Sequence, residues 1–318
     1  MKPHVIRSSL HLQGFDPEHL ANVVNGGRLE HYILTRSKCE VRHEHWACGN
    51  FSVDVGHYSF PVRVLGHLPP DRWTIGYMRA FTEPSWVNGF EADEEAFQLY
   101  PAGTELNYRA APNGQWVAIE LSESALQGAA CERLGHELEL PRDGATNHRV
   151  TRAQLRELDR MVQRSLHQPK TSVSMIGPIL GAIAELLAHA QTGTFASLAH
   201  RWRHRAELLS RADHYLQLSA GSPFDSKALA AAVGTTERSL QMHFHNAYGI
   251  TPGHWARTLA LHRVRDRLLK TDAAKFTVEG VAHECGFHHM GRFSAYYEDL
   301  FGEFPSATLR TACGQGDA

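Results

Sequence analysis

Apolar residues near the end of the chain recur at the spacing of two short helices. Val278, Val281 and Ala282 follow a helical period until Cys285-Gly286-Phe287 interrupts it. The period resumes at Phe293, Tyr296, Tyr297, Leu300 and Phe301 and stops at Gly302, with Pro305 beyond it. Two short helices joined by a Gly-containing turn form a helix-turn-helix, whose second helix can enter a DNA major groove.

The same unit occurs a second time, upstream. Apolar residues, glycines and prolines of this upstream unit match those of the downstream unit at an offset of 53. The matching pairs are Leu240/Phe293, Phe244/Tyr297, Gly249/Gly302 and Pro252/Pro305. The turn glycines, Gly234 and Gly286, differ by 52. Pro252–Leu269 predicts one long helix between the copies. Two recognition helices held in this way can enter successive major grooves, about 34 Å apart.

The region before these units has a different pattern. Short runs rich in β-branched and aromatic residues, separated by Gly, Pro and Asn, extend from Leu29 to Leu121 and predict an antiparallel barrel or sandwich. Leu99–Leu106 (LYPAGTEL) is interpreted as a hairpin between two barrel strands. Helical patterns follow at Ser122–Leu134, Thr151–Leu166 and Ser172–His189. The last is strongly apolar, which suits a core helix or a core helix that also forms a homodimer seam.

These patterns predict an α+β chain with three parts. Residues 1–190 are expected to form an antiparallel, cupin-like β-barrel sensor domain with a helical dimerisation segment. Residues 191–202 are expected to be a linker, and residues 203–312 an all-α domain with two helix-turn-helix units.

Composition adds an uneven charge distribution. The 318 residues have a net charge of −2, yet Arg201–Lys275 carries 12 Lys/Arg against 6 Asp/Glu, and Phe276–Ala318 carries 2 against 6. A basic segment in a near-neutral chain suits phosphate binding, although a solvated charged face has the same composition. Five cysteines without a C-x-x-C pair favour a reducing cytoplasm. We expect no membrane span, since we find no apolar run of about 18 residues.

The C-terminal residues resemble the DNA-binding domain of AraC/XylS-type transcription regulators. The resemblance lies in A-x-x-V-G-T-T-x-R-x-L-x-x-x-F at Ala230–Phe244, G-I-T-P at Gly249–Pro252, and G-F…F-G-x-x-P at Gly286–Pro305. The segment G-F-H-H-M-G-R-F, at Gly286–Phe293, is most similar to the XylS/EutR-like subgroup. The resemblance implies double-stranded DNA and RNA polymerase as partners. It also implies a small-molecule effector for the barrel, a homodimer, activation of transcription and no enzymatic activity.

Outward polar residues on the second helix of each unit are the candidate DNA readers. Thr236 is the predicted N-cap of the first recognition helix, and the resemblance implies that Arg238, Gln241 and Met242 face bases. For the second unit we expect His288 to be the N-cap. The predicted DNA-binding residues are Thr236, Glu237, Arg238, Gln241, Met242, His245, Arg257, Arg263, His288, His289, Met290 and Arg292. Arg257 and Arg263 are candidates for phosphate contacts. The first unit is expected to bind more strongly because the second has an acidic balance.

The barrel contains one cationic segment that suits an anionic ligand. The predicted ligand-binding residues are Thr35, Arg36, Lys38, Arg42, Asn50 and Ser52. Their arrangement is similar to PilZ domains, which bind cyclic di-GMP through an arginine loop and a [DN]-x-S-x-x-G strand. A plain solvated turn is the alternative. His43 and His45 lie on one strand face near Cys48, which could be a metal site, but the metal-binding cupin pattern has a glutamate a few residues after such a pair. We therefore expect surface or pocket-edge histidines and no metal or other cofactor.

The sequence therefore predicts a cytoplasmic, effector-controlled, DNA-binding transcription regulator. Cyclic di-GMP is one effector hypothesis, and an effector from an aromatic-acid or amine catabolic pathway is another. Two other classes remain open: a cupin-like metalloenzyme fused to a DNA-binding module, and a constitutive architectural DNA-binding protein.

Overall fold

The chain divides into two compact units. The computed structural model describes residues 5–15, 17–21, 23–80, 82–167, 173–191, 196–219, 221–270 and 277–314. One unit comprises Met1–His31 and Lys38–Arg203, and the other comprises Tyr32–Ser37 and His204–Ala318. We call them the β unit and the helical unit.

Two antiparallel sheets form the framework of the β unit. Its strands are β1 Val5–Gln13, β2 Arg28–Ile33, β3 Glu40–Cys48, β4 Phe51–Tyr58, β5 Val62–His67, β6 Trp73–Ala80, β7 Trp86–Val87, β8 Phe90–Glu91, β9 Ala96–Tyr100, β10 Glu105–Ala110, β11 Gly114–Leu121 and β12 Thr146–Arg149. The larger sheet has the order β1-β3-β4-β11-β6-β9-β12. The smaller sheet has the order β2-β5-β10-β7-β8.

The expected closed barrel is wrong. The described strands form two separate open sheets, with no hydrogen-bonded pairing that joins one sheet to the other. The predicted Leu99–Leu106 hairpin is also wrong, because β9 pairs in the larger sheet and β10 in the smaller one. Residues 101–104 form a tight turn in which the Thr104 hydroxyl donates to the Pro101 carbonyl at 2.7 Å. This turn carries the chain from one sheet to the other.

Helices cover one face of the larger sheet. Alternate strand residues such as Val53, Ile75 and Ile119 share a buried apolar cluster with helical residues such as Leu158 and Ile183. The helices of this layer are α2 Glu123–Leu134, α3 Arg152–His167 and α4 Ile176–Gln191, with a 3-10 helix at Val173–Met175. A short helix, α1 Pro17–Leu20, precedes β2. The opposite strand face, which carries Ser52, Asp54 and Glu120, is directed away from this helical layer.

Helix α4 is a core helix of the β unit. Contrary to our expectation, Val173–Ala190 is long and apolar enough, by length and composition alone, to cross a membrane. Its large apolar side chains are nevertheless buried in the protein core, namely Ile179, Leu180, Ile183, Leu186 and Leu187. The exposed side chains of α4 include Glu185 and His189. These five side chains pack inside the β unit, as a core helix requires, and the additional homodimer seam stays a prediction.

The helical unit contains the repeat that the sequence predicts. Its helices are α5 Ala196–Leu218, α6 Ser226–Ala232, α7 Glu237–Tyr248, α8 Pro252–Lys270, α9 Val278–Glu284, α10 Met290–Phe301 and α11 Pro305–Gly314. α7 and α10 have equal length and start 53 residues apart, whereas α6 and α9 start 52 apart. Helix α5 begins inside the predicted linker 191–202, of which residues 192–195 lie outside the described residues.

The long helix α8 passes through the core of the helical unit. Trp255 on α8 is fully buried, and its indole Nε1–H donates to the buried Asp213 carboxylate of α5 at 2.8 Å. The segment Tyr32–Ser37 packs in the same unit. Tyr32 contacts Trp255 and His262 edge to face, and His262 donates from Nε2 to the Ile33 carbonyl at 3.1 Å.

The buried His262 makes the stability of the helical unit depend on pH. Burial lowers the pKa of His262 to about 3 from an ordinary 6.5. Below pH 6.5 the unfolded chain binds a proton here that the folded protein does not, so stability falls with pH down to about 3. The expected slope is ~1.4 kcal/mol per pH unit. In urea titrations at pH 6.5, 5.5 and 4.5, His262→Gln should flatten this dependence because glutamine can donate to Ile33 but does not titrate.

The matched control is His214→Gln, on the exposed side of α5. It should retain the wild-type pH dependence. Equal slopes in wild-type and His262→Gln proteins would contradict the assignment.

Candidate nucleic-acid interface

Helix α7 is held by caps at both ends. The Thr236 side chain accepts a hydrogen bond from the Ser239 backbone N–H at 3.2 Å, which confirms Thr236 as the N-cap. Gly249 ends the helix with a φ of 67°, a left-handed conformation that a residue with a Cβ rarely adopts. Leu240, Phe244 and Ala247 are buried on the inner face. The caps and this buried row fix which side of α7 is turned to solvent.

The outer face of α7 carries the residues expected to read DNA. Arg238, Gln241, Met242 and His245 are all exposed, and Met242 is 51% exposed. Their spacing of i, i+3, i+4 and i+7 places them in one row on a helix. Glu237 beside them is half-buried. Within the described part of the chain, Arg238 forms no ion pair or side-chain hydrogen bond, so its five N–H donors are available to a ligand.

Helix α10 begins differently. Its N-cap is His289, with no side-chain capping hydrogen bond, so the prediction of His288 as the cap is wrong by one residue. An imidazole lacks the short side-chain oxygen by which Ser, Thr, Asp or Asn caps a helix, and this weakens the sequence signal for the boundary. His288, His289 and Arg292 are exposed, and Met290 is half-buried.

The helical period predicts Tyr296 on the apolar face of α10, and this prediction is wrong. It is 38% exposed and lies one turn after Arg292 on the outer side of the helix. The guanidinium of Arg257, on α8, stacks over the Tyr296 ring at 4.4 Å from the centroid. The sequence reasoning missed this pair. The available signal was the i, i+4 spacing of Arg292 and Tyr296, which places both on one side of a helix.

The other arginines of α8 have partners within the helical unit. Arg263 donates from Nη2 to the carbonyls of Leu216 and Gln217, at the end of α5, at 3.1 and 2.9 Å. Arg265 pairs with Glu303 at 2.6 Å, and Arg267 pairs with Glu284. Arg263 therefore connects α8 to α5 through hydrogen bonds. The contact described for Arg257 is its stacking on Tyr296.

Comparison with known proteins agrees with this geometry. A family model described as a helix-turn-helix domain matches residues 229–311, which contain both repeats. Curated proteins that are similar over this region are named as transcriptional activators. Residues 229–311 form an AraC-type helix-turn-helix domain.

Three relatives illustrate the extent of the likeness. The "Probable thc operon regulatory protein" of Rhodococcus erythropolis is 29% identical over 205 residues, covering 61% of each chain. The "XylDLEGF operon transcriptional activator 1" of Pseudomonas putida is 39% identical over 82 residues, covering 26% of this chain and 25% of the activator. The chain thus matches less than two thirds of the length of these curated relatives. A solved probable AraC family regulator from Rhodopseudomonas palustris CGA009 is 30% identical, covers 33% of this chain and 96% of its own, and has a TM-score of 0.31.

The six residues predicted to bind an anionic ligand are not brought together. Thr35 and Arg36 belong to the helical unit that contains the AraC-type domain, where Arg36 lies beside Gly302. Lys38 is an exposed residue of the β unit. Arg42 is exposed and pairs with Glu40 at 2.6 Å. Asn50 is exposed at the β3–β4 turn, which is the opposite end of that hairpin.

The distance along the hairpin explains the separation. Arg42 and Cys48 are six residues apart on β3, or about 20 Å at roughly 3.3 Å per residue, and Asn50 lies in the turn that follows Cys48. Ser52 is fully buried, and its hydroxyl donates to the Glu120 carboxyl group. The PilZ-like spacing in the sequence therefore does not correspond to one pocket in the fold.

His43 and His45 lie on one face of β3, as predicted, but they are not surface histidines, because both side chains are largely buried. His43 Nε2 and His45 Nδ1 both hydrogen-bond to Oδ1 of the buried Asp54, at 2.8 and 2.7 Å. Burial raises the pKa of Asp54, but the hydrogen bonds from the two imidazoles outweigh it and lower the pKa below its usual value. Among the residues that the structure describes, no three His, Cys, Asp or Glu side chains are placed to hold a metal ion.

Proposed function

We propose that the chain is a cytoplasmic, sequence-specific DNA-binding transcription regulator, and that it activates transcription in response to a small effector bound by the β unit. The observation that carries the proposal is the outer row of α7, Arg238, Gln241, Met242 and His245, exposed on a capped helix of an AraC-type domain. Similar proteins from Pseudomonas putida and Pectobacterium atrosepticum are named as transcriptional activators, which supports activation as the direction of regulation.

The side chains on α7 suit specific base recognition. A guanidinium such as that of Arg238 can donate two hydrogen bonds to guanine, and an amide such as that of Gln241 can pair twice with adenine. Each such pair is worth about 1–3 kcal/mol of discrimination. Met242 can contact a thymine methyl group, and His245 can reach a base or a phosphate. Thr236 and Glu237 lie at the helix start, where the backbone N–H groups favour a phosphate.

The second reader, α10, offers fewer base contacts. Arg292 is the exposed cation on this helix, and His288, His289 and Met290 surround its start. The Arg257–Tyr296 pair gives this side a cation and a phenol hydroxyl that suit a DNA phosphate. Arg263 has a different role in this proposal, because its Nη2 donates to carbonyls of α5. We therefore assign most of the base discrimination to α7.

The regulatory part of the proposal follows from the two-unit architecture. An effector that binds the β unit changes DNA binding only if its affinity differs between two states of the protein. We propose a homodimer on paired DNA sites and a contact with RNA polymerase, as the sequence resemblance implies. Cyclic di-GMP would need a site other than the six predicted residues, because the fold separates them.

Selection of duplex DNA from a random pool tests the proposed function. The purified full-length chain should enrich a motif with two conserved blocks, one for each recognition helix. The double variant Arg238→Ala/Gln241→Ala should lose the block read by α7 and keep the weaker one. Enrichment of no motif, or of the same motif by the double variant, would refute sequence reading by α7.

A further inference from the structure

The face of the larger sheet that lies opposite the helices borders a cavity inside the β unit. The cavity lies between the two sheets, and residues of both line it, including Tyr58, Met78 and Trp116 from the larger sheet and Val64, Leu106 and Tyr108 from the smaller. The centre of a water molecule can explore about 60 Å³ in it. One water needs about 10–15 Å³ by this measure, so the space suits several waters or one small organic molecule.

The shape of this cavity depends on a glycine. A Cβ at Gly56 would lie 2.2 Å from the Trp116 indole, so only glycine lets this ring lie across β4. Ala118, two residues further along β11, keeps the next position of the wall small. Most of the lining is apolar or aromatic, which is typical of pockets for small organic ligands.

A buried polar cluster adjoins one end of the cavity. Glu120 is fully buried, and its Oε2 accepts from the Ser52 hydroxyl. Arg72 donates to the Ser52 hydroxyl at 3.3 Å and to the Asn25 carbonyl at 3.0 Å. The Asn25 backbone N–H donates to Oδ2 of Asp54 at 3.3 Å. Ala118 and Thr74, which line the cavity, are the neighbours of Glu120 along β11 and across the strand pair.

Among the residues that the structure describes, three buried polar atoms in or beside the cavity wall have no hydrogen-bond partner: Oε1 of Glu120, Oγ1 of Thr74 and Nε1 of Trp116. Glu120 and Thr74 lie together at the polar end. The two residues are direct cross-strand partners, so their side chains leave the sheet on the same face about 5 Å apart. Buried polar groups in folded proteins almost always have a hydrogen-bond partner. A ligand in the adjoining cavity would supply one.

The charges around this pair determine which ligand is suitable. Burial, followed by the charge of nearby Asp54, raises the pKa of Glu120 well above its usual value, which favours the protonated form of this carboxyl group. The Arg72 guanidinium already donates to Asn25 and Ser52. A ligand carboxylate next to Glu120 would therefore add a second negative charge near Asp54, while the donors of Arg72 are already engaged. The unpartnered Thr74 hydroxyl in the cavity lining can donate, as can the protonated form of Glu120, and this favours a ligand that accepts.

We propose that this cavity binds a small, neutral, largely apolar molecule whose hydrogen-bond acceptor faces Thr74 and Glu120. It is the effector site if the proposed function is correct, and the binding itself can be measured without DNA. This ligand class differs from the anionic effector that the cationic segment of the sequence favours.

Calorimetry with full-length protein tests the ligand class through probes of similar size. Benzamide and cyclohexanone are neutral and carry an acceptor, toluene lacks one, benzoate is an anion, and benzylamine is a cation. At least one of the neutral acceptors should bind saturably, at least tenfold more tightly than toluene, benzoate and benzylamine. Binding of benzoate, benzylamine or cyclic di-GMP as tight as that of the best neutral probe would overturn the proposal, as would no binding of either neutral acceptor.

Two variants test the proposed residues. Thr74→Val keeps the side-chain shape and removes the unpartnered hydroxyl, so it should raise the melting temperature of the ligand-free protein and weaken neutral-probe binding by about threefold to tenfold. Thr82→Val makes the same chemical change at an exposed position outside the cavity lining and should leave binding unchanged. A Thr74→Val protein with unaltered probe affinity would remove Thr74 from the site.

Glu120 is tested by rescue. Glu120→Leu should weaken binding of the neutral probe, and Glu120→Gln should restore most of the loss because its amide still donates; equal losses in both would contradict the donor role.

A mobility shift of ligand-free protein on the selected duplex is recorded in parallel. DNA binding without ligand binding would overturn this inference alone, whereas ligand binding without DNA binding would overturn the proposed function alone.

Discussion

Replacing Arg238 with alanine is expected to weaken binding to the selected duplex by roughly 5-fold to 150-fold, equivalent to about 1–3 kcal/mol. The loss should concentrate at one base pair, because a guanidinium on the outer row of α7 reads a single guanine. Arg238 is exposed and has no partner among the described side chains, so its removal should not affect folding. Titration of duplexes with each base substituted in turn measures both the affinity and the base at which preference is lost.

Arg310→Ala provides the matched control for Arg238. Arg310 is an exposed arginine of α11, outside both recognition helices, and its replacement removes the same charge. It should change affinity slightly and uniformly across sequences. If Arg238→Ala also weakens all duplexes equally, Arg238 contacts a phosphate and is not a base reader.

Replacing Trp255 with alanine is expected to destabilise the helical unit by about 3–5 kcal/mol. The substitution leaves a cavity at a fully buried position and removes the indole hydrogen bond to the buried Asp213 carboxylate. Because a typical domain is stable by only about 5–15 kcal/mol, much of the unit should be unfolded near physiological temperature. Hydrogen exchange of the α5 and α8 amides, together with thermal unfolding followed by circular dichroism, measures the loss.

Leu269→Ala, on the same helix, is the control for Trp255. Leu269 is 39% exposed, so truncation should destabilise by less than about 1 kcal/mol. Protection of α5 and α8 amides in Trp255→Ala equal to that in Leu269→Ala would contradict the central position of Trp255 in this core.

The helical unit could be predicted from sequence because its signals are local. The boundaries of α7 follow from Thr236 at the start, the apolar row containing Leu240 and Phe244, and Gly249 at the end. All of these lie within 14 consecutive residues. The start of α10 was misplaced by one residue because neither His288 nor His289 has a side chain that caps strongly.

The β unit was less predictable because its pairing is not local. Strand β1 pairs with β3, some 35 residues away in the chain, and nothing in the sequence near Val5 specifies that partner. The Ser52–Glu120 contact likewise depends on the register of β4 against β11. Without this register, Ser52 was assigned to a surface cationic site, and the buried cluster beside the cavity was not found.

The helical period also could not distinguish a buried aromatic residue from an exposed one on α10. Tyr296 and Tyr297 are adjacent, yet Tyr297 is fully buried and Tyr296 is exposed beneath the Arg257 guanidinium. A helical period of 3.6 residues accepts either residue at the edge of the apolar face. Only the packing of α8 against this region determines which tyrosine is inside.

The most direct test of the central claim, that α7 and α10 read one duplex together, is a base-resolved interference footprint of the full-length chain on the selected DNA. The account predicts two short blocks of interference in the major groove, on one face of the duplex, with centres about 10–10.5 bp apart. Arg238→Ala should remove part of the stronger block and leave the weaker block in place. A single block of interference, or uniform interference along the whole duplex, would contradict recognition by two helices.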